Sequence, residues 1–442
     1  MSEKIKSVLT DLMSAIQAGK IYTTSHPRYK DFIEKAYSSL QNILKTQKEL
    51  AIGILDEEIA SENEIFFDLS QKLKPLILYL QERNIQRITF YSGLRHNELS
   101  QFISFLLTPP SELPADTSGA LIRWGIRNIK TGKIKAPSSS PKEMKSPENL
   151  SQYYENSLYF ISRYAQSILK GENIDYMDLK FNTLNFIENF VGQYHQLLNL
   201  ERKSENEIFD HMLNVCILTM HISSRSGSER EDVLELGIAA LFHDIGKMSL
   251  PAEDLPNQSK VTRNKSQIQK NHPVLGAKVL LNYKESLGVL PAVVAFEHHL
   301  RYDLKESSHL SFPYPPHAVS QIVSLCNTYD HQASPRSPRH FNPPDQIYRF
   351  MSKEKGEQFH PQLIQNFFQI IGVWPLGTLV SLSDGRTAVV RGINEEDIFS
   401  PKVEVISSPE GKKFIDLSQT KDIRVERALN PRGEGKKYTH LL

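Results

Sequence analysis

Ala240-Leu241-Phe242-His243-Asp244-Ile245-Gly246-Lys247 closes an apolar run with an adjacent histidine and aspartate, followed by glycine and lysine. A His-Asp pair at the inner end of a helix can place an imidazole nitrogen and a carboxylate oxygen on one cation, and the second carboxylate oxygen stays available for a neighbouring ion. Asp244 is therefore a natural bridge between two metals. Gly246 reads as a left-handed helix C-cap, a role compatible with ligation. Lys247 reads either as a favourable charge at a helix C-terminus or as a phosphate contact beside the metal. Histidine is unevenly placed around this octet, with ten of the fifteen between His211 and His340, and that clustering demands an explanation. Taken singly, His221, His309, His317, His331 and His340 read as ordinary core or surface histidines. His211 in DHMLNVCIL (210–218), His272 in NHPVLGAKVL (271–280) and His298-His299 in EHHLRYD (297–303) carry more context.

Outward from these blocks, helical periodicity dominates residues 150–372, with Leu158, Ile161, Tyr164, Ala165 and Ile168 on one helix and Leu184, Ile187, Val191, Tyr194 and Leu198 on the next. After Trp374-Pro375 the period becomes two: TLVSL, an Asp384-Gly385 turn, TAVVRG and KVEVIS predict a small antiparallel β module over 373–430, with 431–442 as a tail. Upstream, Pro137, Pro141 and Pro147 among serines mark 131–149 as a linker. Residues 1–130 mix two periods. Ile5, Val8, Leu9, Leu12, Met13 and Ile16 predict one helix, and Phe32, Ala36, Leu40 and Ile43 a second. A hairpin is expected across Leu50–Phe67 around a polar centre, a helix through Leu73, Leu76, Ile77 and Leu80, a strand at Arg87–Tyr91, and a helix through Leu99, Phe102, Ile103 and Leu106. The expected architecture is multidomain and mainly α: an N-terminal α/β module, an all-α domain holding the histidines, and the β module.

A chain of 442 residues implies two or three domains. With 39% hydrophobic and 23% charged residues it has apolar material for more than one core. The net charge of +1 gives no electrostatic case for nucleic acid or a membrane surface, so a charged ligand needs a local site. Cys216 and Cys326 sit in apolar helical runs and read as buried thiols. With no long apolar span and no secretory leader pattern, a cytoplasmic protein is expected.

Five ordered blocks, His211, FHDIGK (242–247), His272, His298-His299 and TYDHQASPRSPR (328–339), together resemble the HD superfamily of metal-dependent phosphohydrolases, and within it the HD-GYP cyclic di-GMP phosphodiesterases. The resemblance implies an HD-type helical fold and a centre of two or three divalent ions, iron or manganese. His211 and His243 would serve one ion, Asp244 would bridge, and His272, His298 and His299 would serve the second. Glu207, one turn before His211, is a candidate for a third ion. Lys247, with Asp244, would stand at the catalytic site, and Lys247 and Arg336 would contact substrate phosphate. Arg339 matches a further basic position. A cyclic dinucleotide is the implied substrate, with protein partners engaged through the N-terminal module and a homodimer as a candidate assembly.

Two departures from the family stand out. Asn327 occupies a position where the family has an aspartate ligand, and it offers a carbonyl oxygen without charge. Asp330, one turn further on, is an alternative ligand. The glycine-rich signature after the histidine doublet is reduced to Asp303 and Tyr314-Pro315, with Leu304, Ser311 and Phe312 where glycines would relax the backbone. The leading expectation is a cyclic dinucleotide phosphodiesterase. A degenerate metal- or nucleotide-binding scaffold is the alternative, and a single-metal phosphohydrolase is disfavoured because it has no use for three further imidazoles.

Overall fold

Amphipathic pairing shapes the N-terminal half of the computed structural model, which describes residues 2–55, 57–61, 64–113, 117–132, 147–190, 207–249, 263–305, 314–333, 341–407, 413–420 and 422–441. Helix α1 (Ser2–Ile21) buries Ile5, Val8, Leu9, Leu12 and Ile16, and α2 (Pro27–Leu44) buries Tyr29, Ile33, Ala36, Leu40 and Ile43. Their three- and four-residue spacing forms one apolar stripe per helix. His26 caps α2 by accepting from Arg28 N at 3.2 Å, and Pro27 follows where its missing N–H costs nothing.

These helices share a core with an antiparallel sheet ordered β3-β2-β1-β4-β5: β1 (Glu49–Leu55), β2 (Glu58–Ser61), β3 (Glu64–Ile65), β4 (Arg87–Tyr91) and β5 (Ile129–Gly132). The expected hairpin over 50–67 is a three-strand meander. Its supposedly polar centre contributes β2, because Ile59 and Ala60 are both buried and Ile54 pairs with Ile59. Three helices, α3 (Phe67–Lys72), α4 (Lys74–Gln81) and α5 (His96–Leu107), join them, with α6 (Thr117–Arg123) and β5 unanticipated. Strand β5 pairs with β4 through Ile88 and Thr131, so the module continues into what read as linker. Residues 133–146 of that linker, with Pro137 and Pro141, lie outside the described residues. Met1–Ala136 and Asp175–Phe181 form one compact unit.

The second unit comprises Pro137–Ile174 and Asn182–Leu442. Its helices are α7 (Pro147–Lys170), α8 (Tyr176–Phe190), whose first residues cluster with the other unit, α9 (Glu207–Arg225), α10 (Arg230–Leu241), α11 (Arg263–Leu281), α12 (Lys284–Leu287), α13 (Leu290–Glu297), α14 (Ala318–Ala333), α15 (Pro344–Lys353) and α16 (Pro361–Ile371). Val191, Tyr194 and Leu198, expected on the second helix of this region, lie outside the described residues. Helix α9 is buried from Phe209 through Met220, as a helix surrounded by others must be. Close approach to α10 requires Gly237, where a Cβ would stand 2.7 Å from Met220 Sδ.

Strands β6 (Leu379–Leu382), β7 (Thr387–Gly392), β8 (Lys402–Val405), β9 (Lys413–Asp416) and β10 (Val425–Ala428) form an antiparallel sheet in the order β10-β6-β7-β8-β9. The Asp384-Gly385 turn uses a left-handed Gly385, φ 84°. Where the sequence suggested a boundary at 372, the helices and this sheet belong to one compact unit. Phe341 and Tyr348 pack on Val380, Val390 and Val403, which ties the sheet's core to α15. The expected tail contains a short 3-10 turn, Lys436–Leu441. Among the described residues no helix is long and apolar enough to cross a membrane.

Candidate metal centre

The octet folds differently from a capped helix end. Helix α10 stops at Leu241, Phe242-His243-Asp244 make a turn, and Ile245–Ser249 continue as a 3-10 segment. Gly246 is not left-handed, which corrects the C-cap reading. Its need is steric: a Cβ there would sit 2.0 Å from His272 O and 2.6 Å from Gly276 N. The segment thus lies directly on α11, and the backbone contact carries Asp244 to His272.

Asp244 is the hub. Its Oδ1 lies 3.3 Å from His272 Nε2 and 3.5 Å from His298 Nε2, and its Oδ2 lies 3.4 Å from His243 Nε2 and 3.5 Å from His211 Nε2. Around His272, the Nε2 atoms of His298 and His299 stand at 3.3 and 3.2 Å. Donors each about 2.1 Å from one cation are about 3.0–3.4 Å apart, so these separations suit a shared ion. Asp244, His272, His298 and His299 each offer an atom within 4.8 Å of the others, as do His211, Asp244 and His331. His243, Asp244 and His298 are fully buried or nearly so, whereas His299 is exposed.

The hydrogen bonds behind the rings set their tautomers. His243 Nδ1 faces Ala240 O at 2.7 Å and His298 Nδ1 faces Ala295 O at 2.9 Å. A carbonyl only accepts, so each Nδ1 carries the proton and each Nε2 turns a lone pair into the cluster. His243 Nε2 and Asp244 Oδ1 are buried and have no hydrogen-bond partner. Buried orphans of this kind are costly, and convergent lone pairs fit a cation. Burial lowers the His243 pKa and takes that of His298 to about 4, so both rings are neutral and ready to ligate near pH 7. For Asp244, burial opposes ionisation, but the Lys247 ammonium holds the carboxyl well below the usual range. Lys247 Nζ makes an ion pair with Asp244 Oδ2, so the cluster already holds one positive charge against this carboxylate.

His211 is oriented from α14. Its Nδ1 donates to Asp330 Oδ2 at 2.7 Å, and Asp330 Oδ1 accepts from Asn214 Nδ2 at 2.9 Å. Asp330, weighed above as a substitute ligand, is an orienting carboxylate with both oxygens engaged. Tyr154 OH donates toward Asn214 Oδ1 at 2.9 Å and extends the network to α7. Asn327, buried, places Oδ1 2.9 Å from His211 Nε2. With Nδ1–H given to Asp330, the Nε2 lone pair, Asn327 Oδ1 and Asp244 Oδ2 meet as acceptors, a conflict that a proton, a reversed amide or a cation resolves.

The fold therefore brings together His211, His243, Asp244, Lys247, His272, His298, His299 and Asn327. Glu207 is exposed at the start of α9 and joins neither metal-competent group among the described residues. Arg336, Arg339, Ser311, Phe312, His309 and His340 lie outside the described residues. Beyond the histidine doublet, Leu304 adopts φ 61°, a left-handed conformation that costs a branched side chain energy and that glycine accepts freely. Tyr314 is pushed up to about 12 by burial and by Glu297. Cys216 and Cys326 are free and buried, and burial raises both thiols, Cys326 to about 12. Sequence reasoning missed His331, whose ring stacks on His211 with centroids 4.1 Å apart. Its signal was the four-residue step from Asn327.

Residues 208–331 match the HD domain family, so the helical unit carries an HD domain, and the resemblance read from the five blocks holds. The chain is 30% identical over 222 residues to a cyclic di-GMP phosphodiesterase of Pseudomonas aeruginosa, covering 49% of this chain and 52% of that one. It is 26% identical over 191 residues to a cyclic di-GMP phosphodiesterase of Thermotoga maritima, covering 41% and 50% respectively. The chain spans about half the length of these curated relatives. Among solved structures, an HDG"Y"P protein from Bdellovibrio bacteriovorus aligns at 14% identity and TM-score 0.40, covering 73% of this chain and 95% of that one.

Proposed function

We propose that this chain is a metal-dependent phosphodiesterase that opens cyclic di-GMP or a related cyclic dinucleotide. One observation carries the reading: the two oxygens of buried Asp244 face separate groups of imidazoles, His272 and His298 on one side and His211 and His243 on the other. In this reading two ions are held, iron or manganese, as suits mixed imidazole and carboxylate donors. Bound cations would supply water of lowered pKa and positive charge for the phosphate oxygens. Asp244 sets the spacing of the two positions, and Asp330 and the Ala240 and Ala295 carbonyls hold the rings in their ligating tautomers. Lys247 would leave Asp244 for substrate phosphate once other positive charge compensates that carboxylate, and Arg336 would be a second phosphate contact, as the resemblance implies. The relatives named as cyclic di-GMP phosphodiesterases support this substrate class.

The 442-residue chain purified anaerobically should carry about two ions and convert cyclic di-GMP to a linear or fully hydrolysed product, followed by chromatography. Metal-free, folded protein without turnover would sink the proposal. Asn327 favours a second reading, a scaffold that binds metal or nucleotide and signals through partners engaged by the N-terminal unit; metal-loaded protein that binds the dinucleotide without cleaving it would support that one.

A further inference from the structure

Asn327 leaves the His211 side of the cluster one charged ligand short of the family pattern, and the structure holds a replacement one helical turn away. Residues four apart on a helix share a face, so the face of α14 that turns Asn327 toward His211 also carries His331. The rings of His331 and His211 lie 4.1 Å apart at 26°. One ring nitrogen of each and an oxygen of Asp244 lie within 4.8 Å of one another. Asp330, the carboxylate between them in sequence, is committed to His211 Nδ1 and Asn214 Nδ2. His331 is the nearby side chain on α14 with a donor atom of the right class for a first-row divalent ion.

We propose that His331 is a metal ligand that completes the position shared by His211 and Asp244, taking over what a carboxylate at position 327 does elsewhere in the family. The inference rests on the reading of the cluster as a metal centre and deepens it. Exchanging a carboxylate for a neutral imidazole removes one negative charge from the ligand set. It also shifts donor character toward nitrogen, which favours later first-row ions such as cobalt over manganese at this position. His331 is partly exposed, unlike the fully buried His243 and His298.

The test uses the full chain stripped of metal and titrated separately with Co2+ and Mn2+, with stoichiometry read by calorimetry and elemental analysis and the cobalt environment read by its visible spectrum. Wild-type protein should take about two ions, while His331→Ala should keep one and bind the other at least about tenfold more weakly, with the corresponding cobalt band lost. His331→Phe keeps a ring to stack on His211 but has no nitrogen, and it should behave like His331→Ala. Asn327→Asp placed on His331→Ala should restore the second ion, with circular dichroism confirming an unchanged helical fold in each variant. Two ions at wild-type affinity in His331→Ala, or in His331→Phe, would overturn the ligand role while leaving the metal centre intact. Wild-type protein that takes up neither ion would instead remove the metal centre itself, and this inference with it.

Discussion

Asp244 divides its cluster into two unequal sides. Toward α11 and α13 it meets His272 and His298, with His299 beside them. Toward α9 and α14 it meets His211, beyond which the pattern breaks at Asn327. The intact side is assembled by backbone contact: Gly246 against His272 O leaves no room for adjustment. The altered side is assembled by side chains, through Asp330, Asn214 and Tyr154. A side built from side chains can tolerate exchange of one donor for another nearby, whereas a side built on touching backbones cannot.

Removing the bridge should erase the contrast. Asp244→Ala is expected to weaken both metal positions on the order of a hundredfold or more while the far-ultraviolet spectrum remains helical; unchanged metal content by elemental analysis would remove Asp244 from the centre. His272→Ala should expose the contrast, losing one ion and leaving His211 and Asp244 to hold the other, so loss of both would show that the two sides are not separable.

Gly246→Ala tests the backbone contact that builds the intact side. It should destabilise the domain by about 3 kcal/mol or more, since overpacking against a carbonyl cannot relax through a rotamer change, and urea denaturation reads this directly. For Lys247→Met the expected loss is about 2–3 kcal/mol in metal-free protein, because a buried carboxylate loses its partner. Adding Mn2+ should cancel most of that loss in a thermal melt, and an equal loss with and without metal would deny any exchange between ammonium and metal ion. The smallest effect belongs to the altered side. Asn327→Asp should tighten one metal position by about tenfold, near 1.4 kcal/mol, as a charged donor replaces a neutral one; no change in a metal titration would mean that position 327 does not face the ion.

The candidate donors and their chain order were legible in the sequence because local chemistry writes them: a His-Asp pair ending an apolar run, a His-His doublet, and helical spacing in 158–168 and 99–106. Strand β4 and the first strands of the β module were legible for the same reason, since alternation is a local property. Strand β2 was hidden because a short, half-polar stretch reads as a turn until neighbours pair with it. Gly246 was assigned a conformational role when its reason is contact with a carbonyl contributed by another helix.

What the sequence determined by itself is the set of donors and the helices that carry them, each encoded within one or two turns of chain. What tertiary structure alone decided is which donors meet. Asp330 reaches His211 across 119 residues as its orienting partner, and His331, ordinary when read singly, lies against the same ring. Helical periodicity specifies the face on which a side chain lies, but only the packing of α9 against α14 specifies what that face meets.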